Sequence, residues 1–402
     1  MRKEYDTEDA VLLPAGVSGK SLTCVRSLGS KGVRTIVASS KRSVPAAASR
    51  YCDEHVTVPS AYQDLLAYKE AILALASREN VRTIIPSREV DAFVLSRYRS
   101  SFADHVEPIW PPMETLRKVQ DCLLVPDVAA AADVPIPETV SFDDVEDWQR
   151  ERIVKPRYAL LTGAYVDSLS ARECNGRLSP IHPTPGVEPD RDEVLSAMDG
   201  HVPIVQSYTP IEHEYSFRAL YDHGEPVLTS LRRQIRGQTY AGGASVYREL
   251  VEIPELSALG RRVLDELDWH GLATVQFIEN ADTGEYELLE VNPRTWTSIP
   301  TDVRAGADYP YAFYLLATGQ ADEIDTDHEI GFGTHLLFGE LQYLKSVAFD
   351  DYPNAPRPAL SEAVSAVLRS TYEHPHFDYL VADDAAPFVR GVLNVLEERV
   401  SS

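Results

Sequence analysis

Residues 271–310 read GLATVQFIENADTGEYELLEVNPRTWTSIPTDVRAGADYP. Apolar runs at 274–278 and 286–291 flank an Asp-Thr-Gly turn at 282–284, and this pattern predicts two antiparallel strands joined by a hairpin. Because alternate side chains of a strand point to the same side, one face of this hairpin can be apolar while the other is polar. The stretch therefore predicts a half-buried sheet whose polar face carries the chemistry.

The polar face of this hairpin is rich in oxygen ligands. Glu290 and Asn292 share a face of the second strand, Arg294 continues their line, and Gln276 lies on the first strand within cross-strand reach. Carboxylate and amide oxygens suit Mg²⁺, which is commonly bound by one or two protein ligands together with substrate phosphates. The alternative is an ordinary edge strand with solvated charges, which gives no reason for Asn-Pro-Arg directly after a buried Leu-Leu pair.

The first hundred residues alternate between strand and helix patterns. Short apolar runs at 11–14, 35–38, 55–58 and 82–86 are separated by helical segments, which predicts a parallel, doubly wound sheet. The loop after the first strand then lies at the carboxyl edge of the sheet, where ligands usually bind. A proline-rich joint at 108–112 predicts a domain boundary.

Charge and composition exclude several classes of partner. The chain has 402 residues, 38 basic and 62 acidic side chains, a net charge of −24 and only eight lysines. A surface with this much negative charge repels phosphate backbones and anionic lipids. We therefore expect neither nucleic acid nor membrane as a partner. An acidic, lysine-poor surface indicates a halophilic protein of a salt-accumulating cytoplasm, with an ordinary acidic enzyme as the alternative. We expect a cytoplasmic protein, because the N-terminus has no signal-peptide pattern and no apolar run is long enough to span a membrane.

The 271–310 stretch resembles the ATP-grasp superfamily, in particular the carboxylate–amine ligases related to the ATP-binding halves of carbamoyl-phosphate synthase and to D-alanine–D-alanine ligase. The resemblance implies an α/β fold, with an N-terminal Rossmann-like parallel sheet, an ATP-grasp of two α+β subdomains and a helical C-terminal extension. We place the N-terminal domain at 1–110, the linker helix and lid subdomain at 111–200, the catalytic subdomain at 201–325 and the extension at 326–402.

The same resemblance implies roles for single residues. The metal ligands are Glu290, Asn292 and Gln276, although the family usually has an acid where Gln276 stands. Arg294 steadies the oxygens of an acyl phosphate.

The nucleotide contacts also follow from the resemblance. Lys155, in Ile-Val-Lys-Pro-Arg at 153–157, matches the lid lysine that holds ATP phosphates. Gln206 and Tyr208 flank the adenine, and Glu214 reaches the ribose hydroxyls. Cys122 stands where relatives have a lysine, and Lys118, one helical turn earlier, is the candidate replacement.

Two arginines between the hinge and the metal strands are further candidates. Arg233 or Arg236 neutralises charge on the transferring phosphoryl group, with Gly242 and Gly243 letting backbone amides approach an anion. The alternative for these arginines is a salt-bridged surface.

Two other motifs do not support a function. Ala-Gly-Val-Ser-Gly-Lys-Ser at 15–21 resembles a P-loop, but the pattern requires glycine where Pro14 stands. The His374-Pro-His376 pair has no third ligand, so we interpret it as a solvated loop.

The resulting prediction is an ATP- and Mg²⁺-dependent ligase that joins an amino-acid-like carboxylate and amine, with Mn²⁺ as an alternative metal. The oligomeric state is left open, with a homodimer as one assembly that the resemblance allows. The alternatives are a non-catalytic nucleotide-binding protein and an ATP-grasp carboxylase or carbamoyl-transferring enzyme.

Overall fold

A computed structural model describes residues 8–16, 18–176, 178–352 and 355–401. The first seven residues, which bear on the signal-peptide prediction, lie outside this part of the chain. None of the helices in the described ranges combines the length and the apolar character needed to cross a bilayer.

The N-terminal part is the predicted parallel α/β unit. Four strands in the order β3-β2-β1-β4 form the sheet, and β1 pairs in parallel with both β2 and β4. All five residues of β1 are buried, as expected of a central strand covered on both faces. Its elements are β1 (Ala10–Pro14), α1 (Gly19–Ser30), β2 (Arg34–Ser39), β3 (Glu54–Thr57), α2 (Leu65–Ala76), β4 (Val81–Ile84), α3 (Glu89–Arg97) and α4 (Arg99–Ala103).

A broken helix follows the proline-rich joint. The sequence predicts one helix over 113–132, whereas the structure has two, α5 (Met113–Gln120) and α6 (Val125–Ala131). Pro126 lies in the first turn of α6. Inside a continuous helix, a proline would remove a backbone hydrogen bond and clash with the preceding turn, so a new helix starts here instead.

The lid subdomain is a small antiparallel sheet with its own core. Its strands run in the order β5-β9-β6, and Val154, Val205, Val194 and Met198 pack together beneath it. Its elements are β5 (Thr139–Ser141), β6 (Arg152–Lys155), β7 (Leu161–Thr162), β8 (Cys174–Asn175), α7 (Arg191–Ala197) and β9 (Ile204–Ser207).

The largest sheet has six antiparallel strands in the order β14-β13-β10-β11-β12-β15. One face is apolar, and Phe217, Val275 and Leu231 pack there with Leu256 and Val263 of α8. The opposite face is polar over much of its area and forms the floor of the candidate site. The elements of this region are β10 (Ile211–Asp222), β11 (Glu225–Thr239), β12 (Gly242–Leu250), α8 (Pro254–Glu266), β13 (Gly271–Asn280), β14 (Tyr286–Asn292), α9 (Ile299–Ala305), α10 (Tyr309–Ala317) and β15 (Gly333–His335).

The C-terminal segment is helical, as predicted, but it is tied to both other parts of the molecule. Strand β15, which lies beyond the predicted boundary at 326, joins the large sheet beside β12. Asp384 accepts hydrogen bonds from Arg26 Nε at 2.8 Å and Ser49 Oγ at 2.7 Å in the N-terminal part. The helices of the segment are α11 (Leu337–Phe349), α12 (Leu360–Glu373) and α13 (Ala386–Ser401).

The predicted histidine loop at 374–376 is partly packed rather than fully solvated. His335 on β15 donates its backbone N–H to the carbonyl of His376 at 2.8 Å, and the ring of His376 stacks on Phe332 with centroids 4.6 Å apart. The segment therefore has a structural role at the edge of β15.

Candidate functional site

A row of polar side chains crosses four strands of the large sheet. Glu290 on β14 is paired with Gln276 on β13, Gln276 with Ser216 on β10, and Ser216 with Arg232 on β11. Directly paired residues of antiparallel strands project to the same face, so this register brings all four side chains to one surface. The row places an acid at one end and a guanidinium at the other.

The predicted metal strand is held in place by a chain of hydrogen bonds. Asn292 donates from Nδ2 to Glu290 Oε1 at 2.9 Å, and Arg294 donates from Nη2 to Asn292 Oδ1 at 3.0 Å. Arg294 also donates from Nε to Glu89 at 2.7 Å. Glu89 is the first residue of α3, so the N-terminal part reaches the end of the metal strand. The structure therefore brings Gln276, Glu290, Asn292 and Arg294 together.

Glu214 adds a second carboxyl group to this face. It precedes Ser216 by two residues on β10, so the two side chains share a face. Burial raises the pKa of Glu214, the nearby charge of Arg232 lowers it, and the negative charge of Glu290 raises it further. Glu214 therefore lies within electrostatic reach of both ends of the row.

Arg232 is a buried cation whose hydrogen-bond partners are neutral side chains. It is 6% exposed, and it donates to Ser216 Oγ at 2.9 Å and to Gln234 Oε1 at 3.5 Å. Its buried Nε has no hydrogen-bond partner among the described residues. Burial, followed by the charges of Arg218 and Arg248, lowers the pKa of Arg232 to about 9. The charges of Glu214 and Asp302 oppose this lowering of the pKa, but the side chains that Arg232 contacts by hydrogen bonds are neutral. A buried guanidinium without a directly bonded carboxylate is suited to receive an anion.

The two arginines chosen from the sequence do not reach this face. Arg233 donates to Glu249 at 2.6 Å, and Arg236 donates from Nη1 to both oxygens of Glu340 at 2.7 Å. Consecutive strand residues point to opposite faces, so Arg233 is directed away from the face that Arg232 occupies. The role of Arg233 or Arg236 at the phosphoryl group stays a prediction, which this placement does not support. The strand register instead brings the neighbouring Arg232 to the polar face.

The lid contributes the predicted lysine. Lys155 on β6 donates from Nζ to Gln206 Oε1 on β9 at 2.6 Å, and Gln206 donates from Nε2 to Thr139 Oγ1 at 3.0 Å. Tyr208, directly after β9, is 39% exposed and available to a ligand. Three of the five residues predicted for the nucleotide therefore lie in the lid sheet and at its end.

Lys118 is exposed on α5, and its role in phosphate binding stays a prediction. The cation next to Cys122 is Arg157 instead. Its Nε donates to Asp121 Oδ1 at 2.8 Å and its Nη2 to Asp121 Oδ2 at 2.7 Å, while its carbonyl accepts the backbone N–H of Cys122 at 2.8 Å. The structure therefore holds the Arg157 guanidinium against Asp121, next to Cys122, while Lys118 lies on the exposed surface of α5.

Lys20 is a site residue that the sequence reasoning missed. It is half-buried at the start of α1, and burial together with the nearby charge of Arg294 lowers its pKa to about 7, against the opposing effects of Asp91 and Glu89. The signal that could have found it is a lysine in a chain with only eight lysines, here at the carboxyl edge of the first sheet.

A buried ionic network supports the floor of the site. Asp302 on α9 accepts hydrogen bonds from Arg218, from Ser230 Oγ at 2.8 Å and from Trp296 Nε1 at 2.7 Å. Arg218 and Asp302 are almost fully buried. Helix α9 lies on the face that carries the polar row, and its Asp302 links Arg218 of β10 to Ser230 of β11, two positions along each strand from Ser216 and Arg232.

Known proteins share this architecture. Residues 203–334 match the model of a family described as ATP-grasp in the biosynthetic pathway with Ter operon. No curated protein matches the chain.

Several solved structures share the fold at low sequence identity. N5-carboxyaminoimidazole synthetase from Staphylococcus aureus in complex with ADP aligns with a TM-score of 0.59 at 14% identity, covering 82% of each chain. The biotin carboxylase domain of Hydrogenobacter thermophilus 2-oxoglutarate carboxylase aligns at 0.59 and 16% identity, covering 80% of this chain and 73% of the other. Carboxyaminoimidazole ribonucleotide synthase from Aspergillus clavatus, complexed with ATP, aligns at 0.59 and 15%, covering 81% of each chain. Residues 203–334 therefore match an ATP-grasp family model, and the chain shares the fold of these solved structures.

Proposed function

We propose that this protein is an ATP- and Mg²⁺-dependent ligase that joins a carboxylate to an amine through an acyl-phosphate intermediate and releases ADP and phosphate. The observation that carries the proposal is the row from Glu290 through Gln276 and Ser216 to Arg232. It combines oxygen ligands for a metal with a buried cation for an anion on one rigid surface. Phosphoryl transfer needs both, because its catalysis consists mainly of positioning and charge neutralisation.

The nucleotide is assigned to the cleft between the lid and the large sheet. Lys155 holds the α- and β-phosphates, and the segment of Gln206 and Tyr208 encloses the adenine. Glu214 accepts hydrogen bonds from the ribose hydroxyls. Its raised pKa reflects a buried acid next to another carboxylate, and hydroxyl donors would favour its ionised form.

The residues present fit a divalent cation. The oxygens of Glu290, Gln276 and Asn292 are hard ligands, and they lie on neighbouring positions of β13 and β14. Mg²⁺ bound there supplies positive charge to the phosphate oxygens, and Mn²⁺ accepts the same ligands. The neutral Gln276 gives the site one negative charge fewer than an acidic pair would.

The reaction proceeds in two steps. A carboxylate oxygen attacks the γ-phosphorus of ATP, forming the acyl phosphate as the bond to the bridging oxygen of ADP breaks. The amine then attacks the acyl carbon, phosphate leaves, and the nitrogen loses a proton. Arg232 and Arg294 neutralise negative charge on the transferred phosphoryl group and on the acyl-phosphate oxygens, while the closed lid excludes water that would hydrolyse the intermediate.

The names of the similar structures support the use of ATP and magnesium, because they report complexes with ADP, ATP and magnesium ADP. One of them also reports bicarbonate. Bicarbonate is itself a carboxylate-like acceptor of a phosphoryl group, so carboxylation is the second candidate reaction, with the same residues at the metal and phosphate positions.

A binding and turnover series tests the proposal. ATP with Mg²⁺ should bind in isothermal titration calorimetry, and ADP release should rise when a matching pair from a panel of amino acids is supplied. ADP release that depends only on bicarbonate would select carboxylation. Tight ATP binding without acceptor-stimulated ADP release would refute the ligase and leave a nucleotide-binding protein, for which the neutral Gln276 is the supporting feature.

A further inference from the structure

Two histidines and an aspartate meet at the tip of the hairpin that joins β10 and β11. Asp222 is the last residue of β10, His223 lies in the turn, and His270 directly precedes β13. Oδ1 of Asp222 lies 2.7 Å from Nδ1 of His223 and 3.5 Å from Nδ1 of His270. One ligand atom from each side chain lies within 4.8 Å of the other two. The three side chains therefore form a cluster of the size that one metal ion can bridge.

His270 has the orientation and the tautomer of a metal ligand. Its side chain is buried, and its Nε2 lies 3.2 Å from the carbonyl oxygen of Pro108. A carbonyl oxygen accepts hydrogen bonds and does not donate them, so Nε2 carries the proton and Nδ1 presents a lone pair to the cluster. Histidines bound to metals commonly donate their second ring N–H to a backbone carbonyl in this way. Nδ1 accepts the backbone N–H of His223 at 3.2 Å, a long contact that an ion bound at Nδ1 would replace.

The spacing of the ligand atoms fits a small tetrahedral ion. Zinc binds imidazole nitrogen and carboxylate oxygen at about 2.0–2.2 Å, which places neighbouring ligand atoms ~3.4 Å apart. The distance of 3.5 Å between Asp222 and His270 already has this value. The distance of 2.7 Å between Asp222 and His223 must open by about 0.7 Å, and the side chain of His223, which is 73% exposed, has room to rotate.

The backbone of the turn holds His223 beside His270. Asp222 pairs with Glu225, and the two residues between them, His223 and Gly224, have φ values of 46° and 81°. Positive φ at both central residues is typical of a type I′ turn. The N–H of Gly224 donates to the carbonyl of Trp269 at 2.8 Å, which ties the turn to the residue before His270. The cluster is therefore built on ordered backbone, as a binding site requires.

We propose that Asp222, His223 and His270 form a site for a divalent transition-metal ion of the zinc class, with water as the fourth ligand. Two imidazoles favour zinc over magnesium, which prefers an all-oxygen ligand set. An ion bound here ties the hairpin to the start of β13 and, through Pro108, to the joint before α5. Asp222 follows Ser216 by six residues on β10, or about 20 Å along the strand. The site is therefore separate from the proposed magnesium site, and it does not rest on the proposed function.

Titration calorimetry of the chelator-treated full chain with ZnCl₂, in the absence of nucleotide, tests the site. We expect one equivalent of zinc to bind with a Kd of about 1 µM or tighter. His223→Asn should weaken binding by at least about 100-fold, the upper end of what loss of an outer partner of a ligand costs. Asparagine is favoured in a type I′ turn, so this variant keeps the hairpin. His182→Asn, at an exposed position in the lid, is the matched control and should bind zinc like the wild type.

The contrary results are also defined. Equal zinc affinity of the wild type and His223→Asn, or a wild-type Kd weaker than about 100 µM, would overturn the proposal. Loss of binding in His182→Asn would do the same, because the ion would then lie elsewhere.

A spectroscopic and a thermal measurement test the ligand set and the role of the ion. Co²⁺ bound to the wild type should give the intense visible absorption of a tetrahedral complex, and Asp222→Asn and His223→Asn should both lose it. Saturating Zn²⁺ should raise the melting temperature of the wild type, because the ion binds the folded chain, and should leave that of His223→Asn unchanged. The affinity of His223→Asn for ATP with Mg²⁺ should equal that of the wild type. Octahedral Co²⁺ spectra, or equal thermal shifts in the two proteins, would refute this site whatever the outcome of the ligase assay.

Discussion

Arg232 and Arg233 are consecutive residues of β11, yet their guanidinium groups serve opposite faces of the large sheet. Arg232 contacts Ser216 on the face that carries Glu290, and Arg233 pairs with Glu249 on the other face. The two residues therefore carry the same charge and differ in the face of the sheet to which their side chains point.

Replacing Arg232 is expected to affect chemistry, whereas replacing Arg233 is not. Arg232→Met should lower ATP-dependent ADP formation by at least about 100-fold, in the range found when one charge-stabilising donor is removed from an active site. Arg233→Met removes a partly exposed ion pair worth about 0–1 kcal/mol and should leave turnover within about threefold of the wild type. Steady-state ADP release measures the turnover of both variants. Equal losses of turnover in the two variants would contradict the assignment of Arg232 to the phosphoryl group.

Glu290 is expected to be essential for metal-dependent turnover. Glu290→Ala should abolish ADP formation and remove the dependence of ATP affinity on Mg²⁺, because the only carboxylate among the three predicted metal ligands is lost. Glu285→Ala, at an exposed position directly before the same strand, is the control. Titration calorimetry with and without Mg²⁺ gives the readout, and unchanged turnover of Glu290→Ala would refute the metal assignment.

Gln276 tunes the charge of the proposed metal site. Gln276→Glu places a second carboxylate directly across from Glu290. Without metal, the like charges should lower the melting temperature. Mg²⁺ should then raise the melting temperature of this variant more than that of the wild type. Half-maximal binding of Mg²⁺ should occur at a lower Mg²⁺ concentration. A thermal-shift titration measures both effects, and an identical Mg²⁺ response in the two proteins would argue against Gln276 as a ligand.

The comparison of Gln276 with Arg232 shows which parts of the site a single sequence can predict. Gln276 and Glu290 lie on one short hairpin, so the two-residue period and a tight turn were sufficient to place them together. The choice among three arginines depends on the register between β10 and β11 and on bulges after Gln234, which sequence spacing does not reveal. Lys20 and Arg294 are 274 positions apart, and only the packing of the N-terminal sheet against the catalytic sheet brings them together. The fold class could be predicted because strand and helix periods are local, but these long-range contacts could not.

Arg236 is expected to stabilise the fold rather than assist the reaction. It pairs with Glu340 on α11, whose Oε1 also contacts Nδ1 of His335 at 2.6 Å, and all three side chains are buried. Removing one partner of a buried ion pair leaves an uncompensated charge, so Glu340→Gln should lower the free energy of unfolding by about 3–5 kcal/mol. Asp143→Asn, which breaks the exposed pair with Arg191, should cost at most about 1 kcal/mol. Urea denaturation compares the free energies of unfolding of the two variants. A small loss of stability in Glu340→Gln would show that the Arg236–Glu340 pair does not anchor the C-terminal segment.

Lys20 gives a pH-dependent prediction, because the folded protein lowers its pKa to about 7. Between pH 10 and pH 7 the unfolded chain gains a proton at this lysine that the folded protein does not take up, so folding loses stability as the pH falls through this window. Below pH 7 both states are protonated and the loss is complete. Lys20→Met removes the effect, so its stability relative to the wild type should increase from pH 10 to pH 7 by at most about 1.4 kcal/mol per pH unit. Urea unfolding at several pH values measures the difference, with the exposed Lys345→Met as control. Parallel pH profiles for Lys20→Met and the wild type would show that Lys20 keeps an ordinary environment and does not face Arg294 in the site.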